Sequence, residues 1–100
     1  MGPQRRKLGE VRFYVDPETD DLHIYRHGVS EEEAEEVLHY PVDDFPGRGT
    51  SRIALGTTAE GRHLQVVYVP DHDAHGVLVV TAYDLKGKAL AAYRRRRRRR

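Results

Sequence analysis

Residues 52–83, RIALGTTAEGRHLQVVYVPDHDAHGVLVVTAY, decide the fold of this chain. Three strand-like segments lie within them, Arg52–Thr57, His63–Val69 and Gly76–Tyr83, each bounded by turn-forming residues. Ala59-Glu60-Gly61 fits a tight turn, which makes the first two an antiparallel hairpin. Leu64, Val66, Val67, Tyr68 and Val69 are apolar on both faces, as a central strand requires, and Val77–Val80 reads the same way. Pro70 and Asp71–His75 form the loop between those two strands.

Upstream of this sheet lies a stretch with a clear helical start. The Ser30 hydroxyl can accept the amide proton of Glu33 while the Glu33 side chain reaches back, which is a capping box. Glu31, Glu32 and Glu33 occupy the first turn, where the helix dipole favours negative charge. Ala34, Val37 and Leu38 form the buried stripe, Val29 supplies a hydrophobic staple, and Pro41 stops the helix. The glutamates are therefore chiefly a solvated face. Before them, residues 19–27 read as a short helix capped by Asp20 or Asp21 and ended by Gly28 in a left-handed conformation. Val11–Val15 reads as a strand that Asp16-Pro17 terminates. Residues 42–51 (VDDFPGRGTS) read as a loop. Ala89, Leu90, Ala92 and Tyr93 suggest a C-terminal helix running into the arginines.

The order predicts an α+β domain: a small antiparallel sheet, two short helices on one face after the first strand, and a C-terminal helix. The domain is expected over residues 11–93. A basic N-terminal tail (residues 1–10) and a polyarginine tail (residues 94–100) flank it.

Charge is divided along the chain in the same way. The total is +1, but without the seven arginines 94–100, ten basic residues face sixteen acidic ones, or −6. Setting aside Arg5, Arg6 and Lys7 as well leaves seven against sixteen, or −9. An acidic body thus lies between two basic ends, and the arginine run is a natural partner for phosphates or an acidic protein surface. The absence of cysteine excludes disulfides, a thiolate nucleophile and a cysteine zinc site. The longest apolar run, Val77–Val80, is far short of the roughly 20 residues a membrane span needs. Basic residues near the start have no apolar stretch after them, so no signal peptide is expected. The expected location is the cytoplasm, with no membrane partner.

His23 and His27 stand one helical turn apart, the spacing of zinc proteases, but Ile24 sits where those proteins carry their catalytic glutamate. No metal site and no cofactor are expected. His27, Arg52, Arg62, His63, Tyr83 and Lys86 suit phosphate chemistry instead. RNA cleavage by the 2′-hydroxyl needs a proton acceptor, cations for the phosphorane and an acid for the leaving oxygen, all of which these side chains can supply.

Three segments carry a resemblance. HIYRHGVSEEE at 23–33 resembles the K/R-H-G-[IV]-[ST]-x-x-E segment of BrnT-like toxins. LGTTAEGRHLQVVY at 55–68 resembles their I-G-x-T-x-x-G-R-x-L-x-V segment, and VVTAY at 79–83 takes the place of their I-S-A-R. Arg26, His27, Gly28, Ser30 and Glu33 fall on the first segment, Gly61, Arg62 and Leu64 on the second, and Tyr83 replaces the arginine of the third. The resemblance spans residues 11–93 and implies a RelE-like fold, metal-independent endoribonuclease activity and a cognate antitoxin protein as partner. On that basis Arg62 and Lys86 are expected to stabilise phosphate charge, with His27 and Tyr83 as the proton-transfer pair. Arg26, Arg52, Arg94, Arg95, Arg96 and Arg97 are expected to hold RNA. The alternative is a non-catalytic RelE-like module that binds nucleic acid or a partner protein.

Overall fold

The three strands of the opening stretch form the centre of the sheet. The computed structural model describes residues 5–73 and 75–98; residues 1–4, 74, 99 and 100, which include parts of both expected tails, lie outside the described residues. The elements are β1 (Glu10–Phe13), β2 (Val15–Asp16), β3 (Asp21–Leu22), a 3₁₀ helix (His23–His27), α1 (Glu31–His39), β4 (Asp43–Pro46), β5 (Arg52–Thr57), β6 (His63–Asp71), β7 (Gly76–Asp84) and α2 (Gly87–Arg98). β5, β6 and β7 pair antiparallel in sequence, as expected. The turn between β5 and β6 closes through Thr58, whose N–H donates to the Arg62 carbonyl at 2.8 Å, with Gly61 at φ +90°.

The full sheet has the order β1-β7-β6-β5-β4, with β2 and β3 forming a separate two-stranded ribbon. It is mixed rather than antiparallel, because β1 runs parallel to β7. Gly76 makes that pairing possible: a Cβ there would lie 1.8 Å from the Glu10 carbonyl oxygen. Residues 43–46 are an edge strand rather than loop. Their Asp and Pro content hides the strand, but an edge tolerates both residue types.

α1 keeps its predicted start, with both hydrogen bonds of the Ser30–Glu33 capping box present. Its Ala34, Val37 and Leu38 pack against Ala54, Leu64, Val66, Val79 and Ala82. α2 instead sets Leu90 and Tyr93 against Leu55 and Leu85. Ala54 and Leu55 are neighbours on β5 and so point to opposite faces. The two α-helices therefore cover opposite sides of the sheet. Nor is the segment before Gly28 an α-helix. Asp20 takes a left-handed turn conformation (φ +57°), Asp21–Leu22 pair with Val15–Asp16, and only five residues remain to coil. No helix among the described residues is long and apolar enough to cross a membrane.

Candidate functional site

One irregularity in β7 sets up the site. Val67 pairs with Thr81 but Tyr68 pairs with Val79, leaving Val80 as an extra residue. Such a bulge shifts the inward–outward alternation by one. Val77, Val79 and Ala82 consequently all reach the core beneath α1, while Thr81 and Tyr83 turn the other way. β1 also stops at Phe13, opposite Val79, so β7 has an open edge beyond that point. The 3₁₀ helix packs there, anchored by buried Ile24. Gly28 ends it at φ +66°, donating its N–H to the Tyr25 carbonyl at 3.1 Å.

A cleft of about 590 Å³ results, lined by His23, Arg26 and His27 from the 3₁₀ helix, by Thr81, Tyr83 and Asp84 from the end of β7, and by Lys86 between β7 and α2. The His27 and Tyr83 ring centroids are 5.6 Å apart, and those of His23 and His27 are 5.8 Å apart. Gln65 donates to the Tyr83 hydroxyl at 2.8 Å, which leaves the phenol proton for another acceptor. Thr81 Oγ1 is buried with no hydrogen-bond partner among the described residues.

Behind the 3₁₀ helix lies a buried carboxylate. Asp16 Oδ1 accepts the Glu18 N–H at 2.9 Å, and its Oδ2 meets His23 Nδ1 at 3.2 Å and Arg26 Nε at 3.0 Å. The Glu18 N–H, opposed by desolvation and helped by His23 and Arg26, holds this carboxyl below its ordinary value. Among the described residues, no three His, Asp or Glu side chains form a group that could hold a metal ion.

Arg62 does not face the cleft. Its Nε and Nη2 grip both oxygens of Asp84 at 2.7 and 3.0 Å. Its Nη1 donates to the Gly28 carbonyl at 2.7 Å and to Glu33 at 3.0 Å, and Nη2 also reaches the His27 carbonyl at 3.2 Å. All five N–H donors of the guanidinium are thereby used. The paired Asp84 and then Glu33 push Arg62 further up, and in return Arg62 holds Asp84 below the ordinary carboxylate range. The expected phosphate contact gives way to a clasp: Arg62 ties β7 to the carbonyls that end the 3₁₀ helix and to the first turn of α1.

The residues expected to hold RNA are dispersed. Arg26 lines the cleft, although its Nη2 also reaches Glu18 at 3.1 Å. Arg52 lies elsewhere, donating to Asp44 at 2.7 Å from Nε. Asp44 also receives Arg6 at 2.7 Å and the Tyr68 hydroxyl. Burial disfavours its charge, but the hydrogen bonds from Tyr68, Arg52 and Arg6 outweigh that and keep it below the ordinary value. Arg94, Arg95 and Arg97 project from α2 into solvent, whereas Arg96 pairs with Asp43 at 3.0 Å. Of the expected catalytic residues, then, His27, Tyr83 and Lys86 share one cleft and Arg62 stands behind it. Sequence reasoning missed Asp16, Thr81 and Gln65, and it considered His23 only as a metal ligand. The four-residue spacing of the histidines was a usable signal. The link to Asp16 exists only once the β2–β3 ribbon has folded.

A family model described as a domain of unknown function (DUF4258) matches residues 22–84, more than half of the chain. The matched span runs from β3 to the end of β7 and includes both histidines, Tyr83 and the Arg62–Asp84 pair. No curated protein and no solved structure matches the chain. The chain belongs to the DUF4258 family.

Proposed function

We propose that this DUF4258 domain is the toxin-like component of a type II toxin–antitoxin pair and cleaves RNA without a metal ion. The observation that carries the reading is the convergence of His27, Tyr83 and Lys86 on one open cleft with Arg26 beside them. Residues far apart in the sequence meet there with the groups that transphosphorylation needs: an imidazole, a phenol and two cations. The BrnT-like segments support it further. They build the corner between the 3₁₀ helix and α1, the β5–β6 hairpin and the end of β7, and Arg62 links all three. In this reading His27 and Tyr83 handle protons, Lys86 and Arg26 stabilise phosphate charge, and Arg62 is a positioning residue. An antitoxin protein would be the partner.

Induced expression followed by RNA analysis tests the proposal, together with purified protein and single-stranded RNA in chelator. Growth arrest and chelator-resistant cleavage are expected, with His27→Ala and Lys86→Ala each reducing the rate by about 10²-fold or more. Intact RNA and normal growth would refute it. One observation favours a second reading, a non-catalytic nucleic-acid-binding module: the solvent-facing arginines of α2 form a cationic surface outside the cleft. RNA that is bound and left whole by the wild-type protein would select that reading.

A further inference from the structure

We propose that His23, oriented by Asp16, is the general base of this cleft and His27 its general acid. The assignment rests on the RNA-cleavage reading above and gives it a mechanism, with His23 taking the proton-transfer place given there to Tyr83.

Asp16 is ionised and can only accept hydrogen bonds, so the His23 nitrogen facing it, Nδ1, must carry the proton. That fixes the tautomer and leaves the lone pair on Nε2, on a ring that lines the cleft. The orientation does not depend on His23 itself. Asp16 is buried, its side chain is 8% exposed, and a main-chain N–H and Arg26 hold it independently of the histidine. With both oxygens engaged, Asp16 orients the imidazole and does not take its proton. His27 is built differently. Its side chain has no hydrogen-bond partner among the described residues; it lies 5.6 Å from the Tyr83 ring and 5.8 Å from His23. One cleft therefore holds an imidazole fixed as an acceptor and a second free to carry a proton toward a leaving group.

The step balances without a co-reactant. His23 Nε2 removes the proton from a ribose 2′-hydroxyl, and the O2′ electron pair forms the new P–O2′ bond. The P–O5′ bond breaks, its electron pair stays on O5′, and His27 imidazolium protonates that oxygen. Lys86 lies against the developing phosphorane charge, and the Tyr83 hydroxyl donates to a non-bridging oxygen. The products are a 2′,3′-cyclic phosphate and a 5′-hydroxyl end. Exchange with water then returns each histidine to its starting state.

The test uses the full chain, a 20-nucleotide single-stranded RNA of mixed sequence and its all-2′-deoxy counterpart. Wild type is expected to cut only the RNA and to leave cyclic phosphate ends. His23→Ala is expected to lose about 10²- to 10⁴-fold in kcat, as a missing general base should, and to lose the acid limb of the pH–rate profile. Added imidazole should restore part of its rate. His27→Ala should lose the alkaline limb instead. Asp16→Asn should lower kcat more than it raises KM, while nitrogen NMR of the wild type reports a proton on His23 Nδ1. His23→Gln and thermal melts guard against a folding defect. A wild type that cuts RNA, with His23→Ala and His23→Gln folded and within threefold of its rate, overturns the assignment alone. Cleavage of the deoxy strand, or ends other than cyclic phosphate, overturns the 2′-hydroxyl mechanism. A wild type that leaves the RNA whole overturns the cleavage reading and this assignment with it.

Discussion

At the scale of single residues, Arg62 shows how a polar side chain can shape a site without entering it. A guanidinium has five donors in a rigid fork, and here each one meets an acceptor on the 3₁₀ helix, its capping Gly28, α1 or β7. A lysine cannot reproduce this. Arg62→Lys is therefore expected to lower stability by about 1–3 kcal/mol, toward the low end because the clasp is partly solvated. Urea denaturation measures the loss, and on the RNA-cleavage proposal weaker cleavage should accompany it as the cleft loosens. The same clasp gives a pH dependence. Glu33 is held below its ordinary 4.5, first by the Ser30 backbone N–H and then by Arg62, and Asp84 below its ordinary 3.8 by Arg62. Groups with depressed folded values contribute stability above their unfolded values and lose it as pH falls through the folded ones. The domain should thus hold its stability down to about pH 4.5 and lose it progressively below. In Arg62→Met the acid loss should be visibly shallower, since Asp84 and Glu33 then have less to lose.

At the scale of elements, the parts legible in the sequence are those whose signal is local. Ser30 and Glu33 announce α1 because both hydrogen bonds of the capping box lie within four residues. Ser30→Ala should cost about 1 kcal/mol, read as a drop in thermal midpoint, with the helix otherwise intact. The β5–β7 meander was legible too, because its apolar runs and turn residues alternate along the chain. Elements that depend on distant partners were not. β4 reads as a loop, yet Asp44 is neutralised by Arg6 and Arg52, one of them 38 residues away in the chain. The parallel place of β1 rests on a close approach at Gly76 that no local pattern announces. The cleft divides in the same manner. His27, Tyr83 and Lys86 stood out as chemically able side chains. Their meeting depends on the Val80 bulge, and the Asp16–His23 pair depends on a two-residue ribbon. Filling the space under α1 tests how tightly this arrangement is specified. A Cβ at Gly56 would lie 3.1 Å from Val37 Cγ1, so Gly56→Val should push α1 off β5 and cost about 1–3 kcal/mol.

At the scale of the whole molecule, the division of charge seen in the sequence becomes a spatial arrangement. The two basic ends fold back onto one acidic edge: Arg6 reaches Asp44 and Arg96 reaches Asp43, both on β4. The arginine run is thus not a free tail over the described residues, because α2 continues through Arg98 with Tyr93 buried in its core contact. Arg96 is spent on the body of the protein, while Arg94, Arg95, Arg97 and Arg98 face solvent. This partition yields a quantitative expectation. If the exposed four contact phosphates of single-stranded RNA, each contributes about 0.7 to the slope of log affinity against log salt. Replacing all four with glutamine should make that slope shallower by up to about 3 and weaken binding most at low ionic strength. Arg96→Gln should do something else. It removes the tie to Asp43, so its main effect is expected on the thermal midpoint, with little change in slope. Fluorescence titrations of labelled RNA at several salt concentrations separate the two. Equal slopes for the fourfold variant and wild type would mean that the cationic face of α2 does not touch RNA.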